Sequence, residues 1–393
     1  MDSFFLSLWR RDSSQANFSL FLYLIFVIWF SIVKKYLRIW ACSHKGSPSG
    51  KGMGIKMAGF VNVAVDAMGG DNAPVEIIKG AVEAVNENSR VKVFLTGREE
   101  IINSELSKYT YNKEQVEVVN ASEIIETAEP PVMAIRRKKD SSLVKALYLV
   151  RDGVCDAYVS AGSTGATLVG GQVIVGRLKG VERPPLAPLI PTEKGCALLI
   201  DCGANVDARP SHLVQFAKMG SVYMESVMGV KNPKVGIVNI GAEEEKGNAL
   251  VKETYPLLKN CPDINFIGSI EARDIPAGLA DVVVCEAFVG NVILKMYEGV
   301  GATLIKKVKE GMLTSLRSKI GALLVKPALK NTLKAFDLEQ YGGAPLLGLN
   351  GLVVKTHGSS KAVEIKNSIL QCITFTEQNI NKKIKEKITM EEN

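Results

Sequence analysis

Six short apolar runs in this chain each end in a polar, glycine-rich loop, and those loops hold the side chains with chemistry to offer. They include Asp66, Asp71, Ser163, Thr164, Asp201, Asn205, Asn239, Asn291, Lys295 and His357. The set is rich in hydrogen-bonding groups and modest in net charge. It suits a small phosphate together with a polar organic group. A hard-metal cage needs several carboxylates at one point, and these acids lie on separate loops, so no metal is expected. No loop has the GxGxxG spacing of a dinucleotide fingerprint, and no cofactor is expected.

The runs are VNVAV before DAMGGDNAP, DAYVS before AGSTGA, CALLI before DCGANVDARP, VGIVN before IGAEEEKGN, DVVVC before EAFVGN, and LVVK before THGSS. Near-continuous apolar strands alternating with helices predict an α/β fold of three layers, αβα, with a mostly parallel sheet covered on both faces. Ligands in such sheets bind at the carboxyl ends of the strands, so the six loops are expected to converge on one floor. Glycines let the backbone approach a ligand, and helix N-termini present free N–H groups to an anion. Ser160, Gly162, Ser163, Thr164 and Gly165 form the leading phosphate or oxyanion loop, and Gly69 and Gly70 give backbone access in the first loop. The plain alternative for the Ser163 loop is a helix cap. Asp71 or Asn72 is expected to cap a helix starting near Pro74, which leaves Asp66, at the strand end, better placed for a role. Lys295 offers a point charge to phosphate or else lies on a solvated helix face. Within Glu243–Lys246, Lys246 is the functional candidate.

The chain has 393 residues and a net charge of +7. Eight of its 48 Lys/Arg and two of its 41 Asp/Glu fall in residues 1–56, so the rest carries a single net positive charge. A near-neutral body gives no case for nucleic acid. The seven cysteines show no CxxC spacing, which points to a reducing cytoplasm. Within 1–56, Phe18–Val33 is free of charge for 16 positions and is followed by Lys34, Lys35 and Arg38. That is a marginal membrane span, with its C-terminal side cytoplasmic. An anchor, an uncleaved signal-like tail and a true start at Met53 or Met57 are the three readings, and the late start is expected. The catalytic domain is then 57–393.

The loops, taken in order, resemble the PlsX-type phosphate acyltransferases of bacterial phospholipid synthesis. The stretches are DAMGGDNAP (66–74), AIRRKKDSS (134–142), VSAGSTGA (159–166), ERPPLAPLIPT (182–192), LIDCGANVDARPSHLVQFAKMGSVYME (199–225), NIGAEEEKGN (239–248), FIGSIEARDIPAGLADVVVCEAFVGNVILK (266–295) and YGGAPLLGLNGLVVKTHGSS (341–360). The resemblance covers about residues 60–380. It implies transfer of a fatty acyl group from acyl-acyl carrier protein to inorganic phosphate, giving acyl phosphate for a membrane glycerol-3-phosphate acyltransferase. It also implies a homodimer and a fold akin to isocitrate/isopropylmalate dehydrogenases and phosphotransacetylase. A phosphotransacetylase using acyl coenzyme A is the alternative. Ser163 stands where Asn is common in that family, and Glu286-Ala287 where Asp-Gly is common.

For that reaction Asp66, Ser163, Asn205 and His357 are the catalytic candidates; His357 protonates the departing thiolate or binds the oxyanion. Arg136, Asn239, Lys246, Asn291 and Lys295 join the loop residues as phosphate or substrate contacts. Arg137, Lys138 and Lys139 complete a basic cluster that would steer an acidic carrier protein. Met312–Lys334 is amphipathic, with Leu316, Ile320, Leu323 and Leu324 on one stripe and basic residues around it. It contacts an anionic membrane or packs in a dimer or core. The enzyme is expected in the cytoplasm, peripherally on the membrane, with an N-terminal anchor if 1–56 are translated.

Overall fold

The computed structural model describes residues 59–334 and 338–389. The expectations for Phe18–Val33 and the rest of 1–56 lie outside the described residues.

From Gly59 onward the chain forms one compact unit. Its elements run β1 (Val61–Asp66), α1 (Val75–Glu87), β2 (Val91–Gly97), α2 (Glu99–Leu106), β3 (Val116–Asn120), α3 (Pro131–Arg137), α4 (Ser142–Arg151), β4 (Ala157–Ser160) and α5 (Thr164–Gly170). There follow β5 (Leu189–Thr192), β6 (Gly195–Ile200), α6 (Pro210–Ser226), β7 (Lys234–Val238), α7 (Ala249–Lys259), β8 (Asn265–Ile270), β9 (Val282–Val284), α8 (Ala287–Met312) and α9 (Leu316–Lys334). The last are β10 (Ala344–Leu346), β11 (Leu352–Lys355), α10 (Ala362–Glu377) and α11 (Ile380–Thr389). All six apolar runs are strands, namely β1, β4, β6, β7, β9 and β11.

They do not lie in one ladder. A six-stranded sheet has the order β10-β11-β4-β1-β2-β3, and a five-stranded sheet the order β5-β6-β9-β7-β8. Both are parallel except at one edge, where β10 pairs antiparallel with β11 and β5 with β6. The two antiparallel edges meet at the bridge between Leu186 and Leu346. Ala187 N–H donates to Pro345 O and Leu347 N–H to Pro185 O, each at 3.0 Å. Pro184, Pro185, Pro188 and Pro345 have no N–H to give, and that keeps the seam short.

Packing makes the two sheets one layer. Along β1, Val63 and Val65 face one core and Ala64 the other; along β6, Leu198 and Ile200 face the first and Ala197 and Leu199 the second. Strands of both sheets therefore alternate into the same two cores, as a period of two requires. The first core is closed by α1, α6, α10 and α11, through Ile77, Ile78, Phe216, Ile365 and Ile384 among others. The second is closed by α3, α4 and α5, through Ile135, Leu143, Leu147 and Leu168. The three-layer expectation holds, with a middle layer made of two sheets edge to edge.

Candidate active site

Sheet order gathers the six loops into two groups of three. β11, β4 and β1 are neighbours in the first sheet, and β6, β9 and β7 in the second. The single floor expected from the sequence is thus two walls.

The first wall is stitched from the loops after β1, β4 and β11. Ser160 Oγ donates to Asp66 Oδ2 at 2.8 Å and accepts from Gly162 N–H at 2.9 Å. A Cβ on Gly69 would press on Asp66 Oδ2 and lie 2.9 Å from Gly162 N and Cα, so these loops touch backbone to backbone. Asp71 N–H donates to Gly358 O at 2.8 Å, and Asn72 Nδ2 to Ser359 O at 2.8 Å. Neither Asp71 nor Asn72 caps a helix. The residue before α1 is Pro74, without a side-chain cap; the Asn72 side chain and the Asp71 backbone N–H are spent on the β11 loop instead. Ser163 is the cap of α5, accepting from Ala166 N–H at 3.3 Å. The plain alternative for it is therefore present in the geometry.

Asp66 is buried and its Oδ1 has no hydrogen-bond partner among the described residues. Burial pushes its carboxyl above the usual range, against the Ser160 hydrogen bond and the Lys355 charge. Above the ordinary carboxyl pKa the unfolded chain sheds this proton while the folded chain keeps it. Stability therefore falls as pH rises, until the folded carboxyl ionises. Asp66→Asn is expected to unfold at higher urea than the parent at about pH 7, and the gain is expected to vanish towards about pH 4. A gain equal at both pH values would show that burial of the carboxylate is not its source.

The second wall is organised by Asp201 at the end of β6. Its Oδ1 accepts from the N–H groups of Leu186, Gly203 and Ala204, and its Oδ2 from Asn205 N–H and Nδ2. Burial raises its pKa; the hydrogen bonds from Leu186, Ala204 and Asn205 oppose the rise. Asn205 Nδ2 also donates to Pro184 O at 3.0 Å, so its amide frames the loop. Asn239 does the same after β7, donating to Lys246 O and Ser269 Oγ. Glu286 caps α8, accepting from Phe288 and Val289 N–H.

Between the walls lies a cavity of about 620 Å³. Thr164, Lys355, Thr356, His357 and Ser359 line it from the first wall, and Cys202, Gly203 and Val206 from the second. α8 adds Phe288, Asn291, Leu294, Lys295 and Glu298, and Glu364 comes from α10. Ser359 N–H points at His357 Nδ1 at 3.2 Å, which makes Nδ1 the acceptor and puts the proton of the neutral ring on Nε2. Lys295 pairs with Glu298 at 2.8 Å.

Of the residues proposed from sequence, Thr164, Asn291, Lys295 and His357 are on the cavity wall. Asp66, Gly69, Gly70, Ser160, Gly162 and Ser163 are packed in the first wall, and Gly165 lies in the first turn of α5. Asn205 frames the second wall. Asn239 and Lys246 are not among the lining residues; Lys246 pairs with Glu243 at 2.7 Å. Arg136, Arg137 and Lys139 are exposed at the end of α3, also off the cavity. Lys138 departs from the cluster: it binds Glu129 at 2.6 Å and Ile124 O at 2.7 Å. The sequence reading missed Lys355 and Glu364. The signal for Lys355 was there, a lysine closing an otherwise apolar strand.

Cationic and N–H groups beside Phe288, Leu294 and Val206 make a place for an anion next to an apolar chain. Residues 61–383 match the family described as "Fatty acid synthesis protein". The chain is 53% identical over 329 residues to the phosphate acyltransferase of Clostridium perfringens, covering 84% of this chain and 97% of that one. It is 52% identical over 332 residues to that of Clostridium beijerinckii, covering 84% and 100%. The chain belongs to the phosphate acyltransferase family. It is an acyltransferase of fatty acid and phospholipid synthesis. Two solved structures share its fold: EutD phosphotransacetylase from Staphylococcus aureus, with TM-score 0.52, 18% identity and coverage of 81% and 94%, and a phosphotransacetylase from Streptococcus pyogenes, with 0.53, 17%, 81% and 94%. That likeness bears out the phosphotransacetylase-like architecture expected for the acyltransferase.

Proposed function

We propose that the enzyme moves a fatty acyl group from acyl-acyl carrier protein to inorganic phosphate and releases acyl phosphate. The observation that carries this reading is the cavity, where Lys295, Lys355 and the Thr164 and His357 loops face an apolar side made by Phe288, Leu294 and Val206. Phosphate is already an anionic nucleophile near neutral pH, and a thiol leaving group has an ordinary pKa of about 8.5. The work left to the protein is to hold two substrates together and to stabilise a tetrahedral oxyanion. In this reading His357 Nε2–H, Asn291 and the N–H groups at the start of α5 receive the oxyanion and phosphate. Lys295 adds a positive charge. Asp66, Ser160, Ser163 and Asn205 act by holding the two walls in register.

The exposed Arg136, Arg137 and Lys139 support an acidic carrier protein as donor, since such a cluster speeds encounter with an acidic partner. Steady-state turnover with phosphate tests it. The carrier-protein thioester is expected to be used in preference to acyl coenzyme A, with an advantage that shrinks as salt is raised. A large preference for short acyl coenzyme A would favour the phosphotransacetylase alternative.

Two assembly proposals belong to the same reading. α8 exposes Val292, Met296, Val300 and Leu304 at helical spacing, a stripe suited to a second copy of the chain in a homodimer. α8 is also long and apolar enough to cross a membrane by length and composition. However, its first turns line the cavity. Leu316, Ile320, Leu323 and Leu324 of α9 are all exposed, beside Arg317, Lys319 and Lys326. That arrangement suits the surface of an anionic membrane, where the acyl phosphate would meet a glycerol-3-phosphate acyltransferase. Residues 57–393 then act as one cytoplasmic, peripherally bound catalytic domain.

A further inference from the structure

We propose that Lys355 is the proton carrier of the reaction, giving a proton to the departing thiolate and taking one from the phosphate. The inference rests on the phosphoryl-acceptor and thioester-donor chemistry proposed above. Lys355 ends β11 and is 7% exposed, yet it lines the reaction cavity. Among the described residues its ammonium makes one hydrogen bond, to the carbonyl of Thr356, out of three donors. Among the described residues no carboxylate lies within ion-pair distance of it. A buried ammonium so sparsely paired is costly to the fold, and such groups mark sites of chemistry.

The charged groups around it come from four elements. Asp66 ends β1, Asp71 follows in the next loop, Glu364 lies on α10 and Lys295 on α8. Burial dominates over these and lowers the amine to about 8. An acid of that strength is matched to a thiol of about 8.5, so transfer between them is close to balanced. Lys295 is exposed and engaged with Glu298, and His357 is exposed.

The step closes without another reactant. An oxygen of hydrogen phosphate dianion forms a bond to the thioester carbon, and the carbonyl electrons move to oxygen. Collapse restores the C=O bond and breaks C–S, leaving the electron pair on sulfur. Sulfur takes a proton from Lys355, and the amine takes the remaining P–OH proton. The products are a thiol, acyl phosphate dianion and the original ammonium.

The test compares leaving groups. Wild type, Lys355→Met and Lys355→Arg are assayed with phosphate and three donors: carrier-protein thioester, pantetheine thioester and an aryl thioester whose thiolate needs no proton. Wild-type turnover of the carrier-protein thioester checks the donor reading by itself. The pantetheine and aryl pair then reads Lys355 whichever natural donor holds. Both variants are expected to lose about 100-fold or more in kcat on the alkyl thioesters and less than about 10-fold on the aryl one. Arginine keeps the charge but cannot release its proton, so Lys355→Arg is expected to keep the KM for phosphate. Wild type is expected to lose alkyl-thioester turnover above about pH 8, as Lys355 deprotonates, and to keep aryl-thioester turnover there. Equal losses on alkyl and aryl donors would overturn the proposal in favour of phosphate binding. If neither variant folds, the wild-type contrast above pH 8 decides, and its absence overturns the proposal.

Discussion

Asp201→Ala is expected to destabilise the enzyme by about 3–5 kcal/mol and to lower turnover by about 100-fold or more. The carboxylate collects four backbone N–H groups and one amide, from Leu186 on one side and Gly203 to Asn205 on the other. Alanine leaves those donors without an acceptor, and each donor that stays buried costs about 1–3 kcal/mol. The same donors set the path of Cys202, Gly203 and Val206 along the cavity. Even a shift of about 1 Å in such a loop is enough to cost about 100-fold in rate. Asp201→Asn keeps one acceptor oxygen but turns an NH₂ towards the remaining donors, so an intermediate loss is expected. Urea unfolding and steady-state turnover measure the two effects. A variant with parental stability and turnover would remove Asp201 from its place as organiser of the second wall.

Gly290→Ala is expected to destabilise the enzyme by about 2 kcal/mol or more, where helix propensity alone predicts a gain of about 1 kcal/mol. Gly290 lies in the first turns of α8, buried against the end of β6. A Cβ there would run into the Asp201 carbonyl and stand 2.9 Å from Cys202 Cα. These are backbone atoms, which cannot swing aside as a side chain would, so the helix must move. Its next turns carry Asn291, Leu294 and Lys295 into the cavity, and turnover should fall with stability. Gly301→Ala on the same helix is the control. Among the described residues a Cβ at Gly301 meets nothing within 4 Å, and the propensity gain should appear there. If both substitutions shift the thermal midpoint upward, close packing of α8 on the β6 end is not what the glycine serves.

The six strands were legible because each is buried on both faces, and such strands are written as unbroken apolar runs. The loops after them were legible for the same reason, as abrupt changes to glycine and polar residues. How they group was not, because the order of strands is set by pairings between distant parts of the chain, such as Ala157 with Leu352. Asn205 and Asn239 mark the limit of residue type as a signal. An amide that binds substrate and an amide that frames a loop are the same residue, and their hydrogen bonds place both in the frame. A lysine at a strand end normally reaches solvent, so the apolar run before Lys355 marks it only weakly. Here it is buried instead.

The chain writes its second sheet in the middle of its first. β1 to β4 come first, β5 to β9 intervene, and β10 and β11 return to lie beside β4. During synthesis, then, every strand of the second sheet leaves the ribosome before the strand that carries Lys355. Until β11 arrives, β4 is an open edge, and the cavity lacks the wall of Lys355, Thr356 and His357. Closing a pair so far apart in sequence is slow, and the exposed edge is vulnerable meanwhile. A nascent chain can thus bury much of its core while holding no competent site, which waits on β11 and the start of α10.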